Sequence, residues 1–250
     1  MRRFYVSTGI LQNAIKFADE GQLEVLAFCV QAKRIYINSI IYNPSIRNLM
    51  KVFRLGYGRL TKTLNKCIAD GWAHYDDKSG VLIFHPITEK GLYKINIDFE
   101  DRFYTLTEIK DILRELCLAN NVKLQQDANH RYNAKAGKNS AGTGKRKRLK
   151  SISNHKGFSV TKISKMLGVC KSKAMVIRDK AVKNGMLNKC RNVIETDLNI
   201  DCDMRSANIW YKESGNIGYL FRGKGGRIMC QLQNIYAVNN DNVKLRYVIK

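Results

Sequence analysis

Acidic residues are scarce in this sequence. Its 250 residues hold 21 Asp and Glu against 44 Lys and Arg, a formal net charge of +23. Such a charge favours a polyanionic partner, with nucleic acid first and an anionic membrane surface second. The segment between Asp127 and Asp179 has no acidic residue and holds fourteen Lys and Arg, and its basic run is interleaved with Gly, Ser and Asn rather than with an apolar face. A membrane-binding helix needs that apolar face, so nucleic acid is the better interpretation.

Long apolar runs and paired cysteine motifs are also missing. No apolar run approaches the ~20 residues that span a bilayer, and no secretory signal is expected after Met1. The seven cysteines are scattered, odd in number and without a CxxC motif. This pattern argues against a disulfide framework and against a zinc finger, and it indicates a reducing compartment. We therefore expect a cytoplasmic protein.

Recognisable catalytic motifs are absent. The stretch before Lys145 resembles a phosphate-binding loop, but Asn139 stands where that loop needs Gly, and Arg146 follows the lysine instead of Ser or Thr. The four histidines have no metal-ligand spacing, and His74 and His85 are expected to face each other across a hairpin. The sequence thus predicts neither an enzyme nor a cofactor or metal site.

The segment 158–187 carries the clearest structural pattern. Apolar residues at three- and four-residue spacing predict two short helices, with Ile163 and Leu167 inward on the first. The second helix is predicted to bury Ala174, Ile177 and Ala181 and to stop at Asn184-Gly185. Gly168 lies between the helices, where a helix-turn-helix requires positive φ. The alternative is an ordinary helical pair that never contacts DNA.

Cations surround this pattern and define the candidate DNA contacts. The second helix supplies one group, a basic run upstream supplies another, and a glycine-rich turn inside the predicted strand–turn–strand 218–238 supplies a third. This last element is interpreted as the wing of the second unit. The candidates are Lys171, Ser172, Lys173, Arg178 and Lys180; Lys145, Arg146, Lys147 and Arg148; and Arg222, Lys224 and Arg227.

A second, more degenerate copy of the pattern occurs earlier in the chain. A helix over 45–53, a turn over 54–58 and a helix over 59–70 are followed by a hairpin with strands at 73–75 and 81–87. Asp70-Gly71 ends its second helix as Asn184-Gly185 ends the other, which predicts a structural repeat. Leu60, Leu64, Cys67 and Ile68 are expected inward. The outward candidates for DNA contact are Arg59, Lys62 and Lys66.

The remaining elements frame these two units. A strand at 3–7, helices at 9–18 and 23–34 and a strand at 93–104 precede a capping box, Thr105 to Glu108, which opens a helix ending near 120–121. Residues 125–148 are predicted to be a basic flexible linker between an N-terminal domain, 1–124, and a C-terminal domain, 149–250. Residues 188–215 are expected to be a surface insertion.

The residues Ile163, Leu167-Gly168-Val169, Ala174, Ile177, Ala181 and Gly185 resemble the winged helix-turn-helix proteins, including MarR-like and similar bacterial and phage regulators. Two such units in tandem also resemble plasmid and phage replication initiators. The resemblance implies that the second helix of each unit enters the major groove. Cys170 departs from the Ser or Thr that usually caps this helix. The two glycines around Tyr57 also depart from the family, so the first unit either reads DNA or forms a homodimer.

We therefore expect an α+β fold, mainly α, with two winged-helix domains. The predicted function is sequence-specific binding of double-stranded DNA in replication initiation or transcription regulation, of the phage or plasmid type. The alternative is a non-specific structural protein that binds DNA or RNA.

Overall fold

A computed structural model describes residues 3–36, 38–87, 93–98, 102–140, 156–190, 193–216, 218–232, 235–238 and 245–247. Helices dominate these residues, and the strands form small antiparallel sheets of three strands each. The expected α+β class with a mainly α content is therefore confirmed.

The first part of the chain follows the expected order of elements, with the addition of a short strand, β2, that was not predicted. Helix 9–18 of the prediction lies slightly earlier in the structure, and the strand predicted to run from 93 to 104 ends at 98. The elements are β1 (Arg3–Ser7), α1 (Thr8–Lys16), a 3-10 turn (Ala18–Glu20), α2 (Gln22–Ile35), β2 (Ile40–Tyr42), α3 (Ile46–Phe53), α4 (Tyr57–Ala69), β3 (Ala73–Asp76), β4 (Val81–Phe84) and β5 (Tyr93–Asp98).

The second part begins with a long helix. Its elements are α5 (Leu106–Ser140), β6 (Lys156–Gly157), α6 (Val160–Leu167), α7 (Lys171–Lys183), β7 (Leu187–Cys190), β8 (Val193–Glu195), α8 (Met204–Glu213), β9 (Tyr219–Arg222), a 3-10 turn (Lys224–Gly226), β10 (Ile228–Gln231), β11 (Ile235–Val238) and β12 (Leu245–Tyr247).

Elements α3, α4 and β3 of the first unit recur as α6, α7 and β7 of the second. Each helix, and the strand that follows, starts 114 residues after its counterpart and has the same length. Ser45 caps α3 by accepting a hydrogen bond from the Asn48 amide at 3.2 Å, and Ser159 caps α6 in the same way at 3.1 Å. The spacing of local signals therefore produces the same backbone twice.

The turn between the paired helices is left-handed in both units, but only one unit uses glycine there. Gly168 has φ 59° after α6, as the sequence predicts. In the first unit Arg54 adopts φ 53°, and Gly56 instead precedes α4 with an extended φ of −68°. The expected glycine turn at 54–58 is thus an arginine turn, in which the Arg54 guanidinium lies 4.0 Å from the Phe103 ring.

Each unit also closes with a three-stranded antiparallel sheet. In the first unit the strand order is β2-β4-β3, and in the second it is β6-β11-β7. In both, the strand that precedes the helix pair and the strand that follows it flank a third strand from later in the chain. The two sheets therefore share one topology, although the third strand arrives after a short hairpin in one case and after an insertion in the other.

Helix α5 joins the two units and belongs to the core of both. The predicted capping box opens it, since the Thr105 amide donates to Glu108 at 2.8 Å and the Glu108 amide donates to Thr105 at 3.2 Å. One face of the helix, including Ile109, Leu113 and Leu116, is buried in an apolar cluster that contains residues from both units. Helices α1 and α2 pack on α5, and so do α6, α7 and β11.

The expected end of α5 near residues 120–121 is wrong. Asn121 stays within the helix, and its side-chain amide donates to the Cys117 carbonyl one turn earlier at 2.8 Å. The helix continues through residues 125–140, which were expected to be flexible, because this stretch has no proline and only one glycine among good helix formers such as Ala, Gln, Lys and Arg. The rest of the expected linker, 141–148, lies outside the described residues, and the division at residues 124 and 149 stays a prediction.

The predicted wing of the second unit is placed incorrectly. Its strands β9 and β10 do form a hairpin, but β10 pairs on its other side with β8. The strand that pairs with β7 is β11. Residues 193–231 thus form an insertion between β7 and β11, with α8 packed on the sheet over a small core of its own, Ile200, Ala207, Leu220, Ile228 and Cys230. The insertion expected at 188–215 is therefore only partly right: residues 188–190 belong to β7, and the insertion extends beyond 215 to include the hairpin.

The remaining sheet has the order β1-β5-β12 and joins the two ends of the described chain. No helix among the described residues is long and apolar enough to cross a membrane.

Candidate nucleic-acid interface

Helix α7 packs by one face and presents another to solvent. Its predicted inward residues Ala174, Ile177 and Ala181 are all buried. The opposite face is exposed along its length and carries Lys171, Ser172, Met175, Val176, Asp179 and Lys183. Because these positions follow one another at one-, three- and four-residue steps, they form a continuous strip on the helix. The helix is therefore not covered by other parts of the described fold.

Two of the predicted DNA contacts on α7 point instead at α5. The Lys173 ammonium lies 2.8 Å from the Asp111 carboxylate, and the Lys180 ammonium lies 3.2 Å from it. The Asp111 side chain is only 7% exposed. Its burial acts to raise its pKa, but the hydrogen bonds from the two lysines outweigh the burial, so that the pKa lies below its ordinary value. These lysines therefore hold α7 against α5.

One turn further along α5, Glu115 makes a second polar contact with α7. The Asn184 side-chain amide donates to Glu115 at 2.8 Å, and the glutamate is buried. Burial raises the pKa of Glu115 to about 7, although the hydrogen bond from Asn184 opposes this. The α5–α7 contact thus contains one carboxylate that is charged at neutral pH and one that titrates there.

Arg178 is also used within the protein. It forms an ion pair with its neighbour Asp179 at 2.8 Å, and its side chain is 13% exposed. Lys171, Ser172 and Lys180 are the exposed members of the predicted contact set on α7, and of these Lys180 is paired with Asp111. No acidic side chain in the described part of the chain lies within ion-pair distance of Lys171.

The first unit has the same kind of ion pair, between its second helix and an underlying helix, at the matching position. Arg59, the third residue of α4, pairs with Glu24 of α2 at 2.5 Å, as Lys173, the third residue of α7, pairs with Asp111 of α5. Glu24 also accepts a bond from Lys110 of α5. Burial acts to raise the pKa of Glu24, and the bonds from Lys110 and Arg59 outweigh it and lower the pKa overall. A cation at this position therefore fixes each second helix to the helix beneath it.

The other predicted residues on α4 divide in a similar way. Lys66 pairs with Asp70 one turn later at 3.3 Å, whereas Lys62 is exposed. Leu60, Leu64 and Cys67 are buried as expected. Ile68 was expected inward but is 38% exposed, and Thr63 takes the buried position, where its hydroxyl donates to the Arg59 carbonyl at 2.8 Å. The exposed face of α4 therefore carries Tyr57, Gly58, Arg59, Lys62 and Asn65.

The cations of the glycine-rich turn lie in the insertion, away from the β7–β11 pair. Arg222 donates to the Ile200 carbonyl at 3.1 Å, and Arg227 pairs with Glu195 at 3.0 Å with 70% of its side chain exposed. Lys224 lies in the short turn between them, and its side chain is not among those described. The basic run Lys145, Arg146, Lys147 and Arg148 lies outside the described residues.

Sequence reasoning missed the residues that decide how α7 is presented. Asp111 and Glu115 lie outside the apolar stripe of α5, on the side where a charged residue is expected to face solvent, and only the packing of α7 on that side buries them. Met175 and Val176, 46% and 47% exposed, are apolar yet lie on the solvent face. Their spacing from Ala174 and Ile177 shows that they fall outside the buried stripe.

His74 and His85 face each other as expected, with ring nitrogens 2.9 Å apart. Within the residues described, no three His, Cys, Asp or Glu side chains are grouped to hold a metal ion. Cys29 and Cys67 lie side by side in the core with 3.2 Å between their sulfur atoms.

Comparisons with protein-family models, with curated proteins and with solved structures found no match to the chain.

Proposed function

We propose that this protein binds double-stranded DNA in a sequence-specific manner through two winged-helix units. The observation that carries the proposal is the repeat itself. Each unit has a serine-capped helix, a left-handed turn, a second helix and a three-stranded sheet in the same order, and in each the second helix has an exposed face. A protruding second helix of this kind fits the major groove, which is wide enough to admit an α-helix.

Charge supports nucleic acid as the partner. The chain carries a net charge of +23, and many of its cations lie in residues 128–250. The candidate contacts on α7 are the side chains of its exposed strip, with Lys171 and Ser172 at the end nearest the turn. Lys173 and Lys180 act mainly by orienting the helix through Asp111, whereas Arg178 pairs with Asp179 of the same helix. On α4 the exposed polar residues of the second and third turns are Lys62 and Asn65, and Asn is suited to bidentate contact with adenine.

Within DNA binding we favour replication initiation or transcription regulation, in a bacterial cytoplasm, without enzymatic activity or a cofactor. Two units joined through a shared helix favour a monomer that reads two adjacent half-sites, as an initiator on directly repeated sites would. A regulator would bind a palindrome as a dimer, with the first unit as its dimer contact; exposed Tyr42 and Tyr57, at 71% and 63%, favour that second arrangement. The mass of the free protein in sedimentation equilibrium distinguishes the two.

The test is selection of bound sequences from a random duplex pool, followed by competition with random duplex and with single strand. We expect enrichment of one motif and, for Lys171→Ala, at least tenfold weaker binding to it. Lys183→Ala, which removes an exposed cation from the far end of the same helix, is the matched control and should weaken binding less. Equal affinity for selected duplex, random duplex and single strand would support the alternative, a non-specific nucleic-acid-binding protein.

A further inference from the structure

The exposed strip of α7 has an apolar centre. Met175 and Val176 lie one helical turn after Lys171 and Ser172, so that the four side chains form a compact patch. About half of each apolar side chain is open to solvent, 46% for Met175 and 47% for Val176. A polar patch would be the ordinary outcome at the most exposed part of a short helix.

Folding of the unit does not require these two residues to be apolar. The contacts of α7 with the core are made by Ala174, Ile177 and Ala181, and Met175 and Val176 are not among the side chains packed against that core. The matching positions of α4, which has the same length and buries the counterparts of Ala174, Ile177 and Ala181, hold Thr61 and Lys62. The apolar pair is therefore a feature of the second unit alone.

The floor of the major groove offers one apolar group, the C5-methyl of thymine. We propose that Met175 and Val176 contact thymine methyl groups, so that the second unit selects A·T base pairs at the centre of its site while Lys171 binds a flanking phosphate. This inference rests on the proposed function, since it names what that unit reads. The first unit, with Lys62 and Asn65 at its exposed face, is not expected to share the preference.

Deoxyuridine tests the idea because it differs from thymine only by the missing methyl group. Duplexes selected from a random pool by the full chain are resynthesised with deoxyuridine at one thymine at a time. At each contacted thymine we expect about fourfold weaker binding, the effect of one methyl group left unburied. The sensitive positions should cluster in one half of the site.

Three variants assign the effect to the helix. Met175→Ala and Val176→Thr are expected to reduce the sensitivity at their own positions, and Val176→Thr does so by replacing one methyl with a hydroxyl while keeping the shape of the side chain. Ile209→Ala is the matched control: Ile209 is a comparably exposed apolar residue, 52% open, on α8 of the insertion. It should leave every deoxyuridine effect unchanged.

The outcomes separate this inference from the proposed function. If no duplex is enriched, the proposed function fails. If duplexes are enriched but deoxyuridine has no effect, or has the same effect in Met175→Ala and Val176→Thr as in the wild type, duplex reading stands and the thymine contact is refuted. A change in the mass of the free protein in sedimentation for these two variants, with no deoxyuridine effect, would also refute it and would identify the patch as a contact between copies of the chain.

Discussion

Replacing Asp111 with asparagine should weaken the contact between α7 and α5 without changing the shape of the side chain at position 111. Asp111 is 7% exposed and receives two lysine ammonium groups at 2.8 and 3.2 Å. Hydrogen bonds to a charged group each contribute about 1.5–3 kcal/mol. Lys173 and Lys180 are 35% and 46% exposed, so they regain water when the carboxylate is removed, and we expect a net loss of about 2 kcal/mol.

For a chain of this size that loss corresponds to a Tm about 4–8 °C lower, measured by circular dichroism at low salt and neutral pH. Glu195→Gln is the matched control, since it removes one carboxylate from the exposed pair with Arg227 at 3.0 Å and should cost less than about 1 kcal/mol. Equal Tm values for the two variants would show that the Asp111 contacts do not hold α7, and the orientation of its exposed strip would need another explanation.

Three further predictions concern pH, backbone and salt. Burial raises the pKa of Glu115 to about 7 from an ordinary 4.5, so the folded protein keeps a proton that the unfolded chain releases. The free energy of unfolding should therefore fall by about 3 kcal/mol as pH rises from 4.5 to 7. Urea titration at each pH measures this slope, and Glu115→Gln should remove it. In the same assay Gly168→Ala should destabilise the protein by about 1 kcal/mol, because φ is 59° at that position. Gly58→Ala should stabilise the protein by a similar amount, because Gly58 lies within α4 and no atom lies within 4 Å of the added carbon. A neutral result for both variants would contradict the backbone argument. If ~8 phosphates are neutralised, log affinity should fall with log salt with a slope near −7, and a slope near zero would rule out phosphate contacts as the main source of affinity.

Local chemistry accounts for what could be predicted of the two units. Helix bounds, buried stripes and the glycine turn at Gly168 depend on residues within a few positions of one another, through side-chain periodicity, serine caps and positive φ. The long α5 was missed because two adjacent asparagines look like a stop signal, whereas Asn121 bonds back into its own helix. The strand that pairs with β7 was also missed. β11 takes this place rather than β10, because residues 193–231 form a separate sheet and core between β7 and β11.

The sequence by itself determined the net charge of the molecule, the repeat of two helix pairs, and the existence of a lysine-rich second helix. Only the tertiary structure decided which of those lysines face outward. Lys171 and Lys173 are chemically identical and two residues apart, yet one is exposed and the other binds Asp111, which lies 62 positions earlier in the chain. A lysine side chain stabilises the fold when an acidic side chain lies within ion-pair distance of it, and otherwise it is available to bind a partner. Folding alone places that acidic side chain near the lysine.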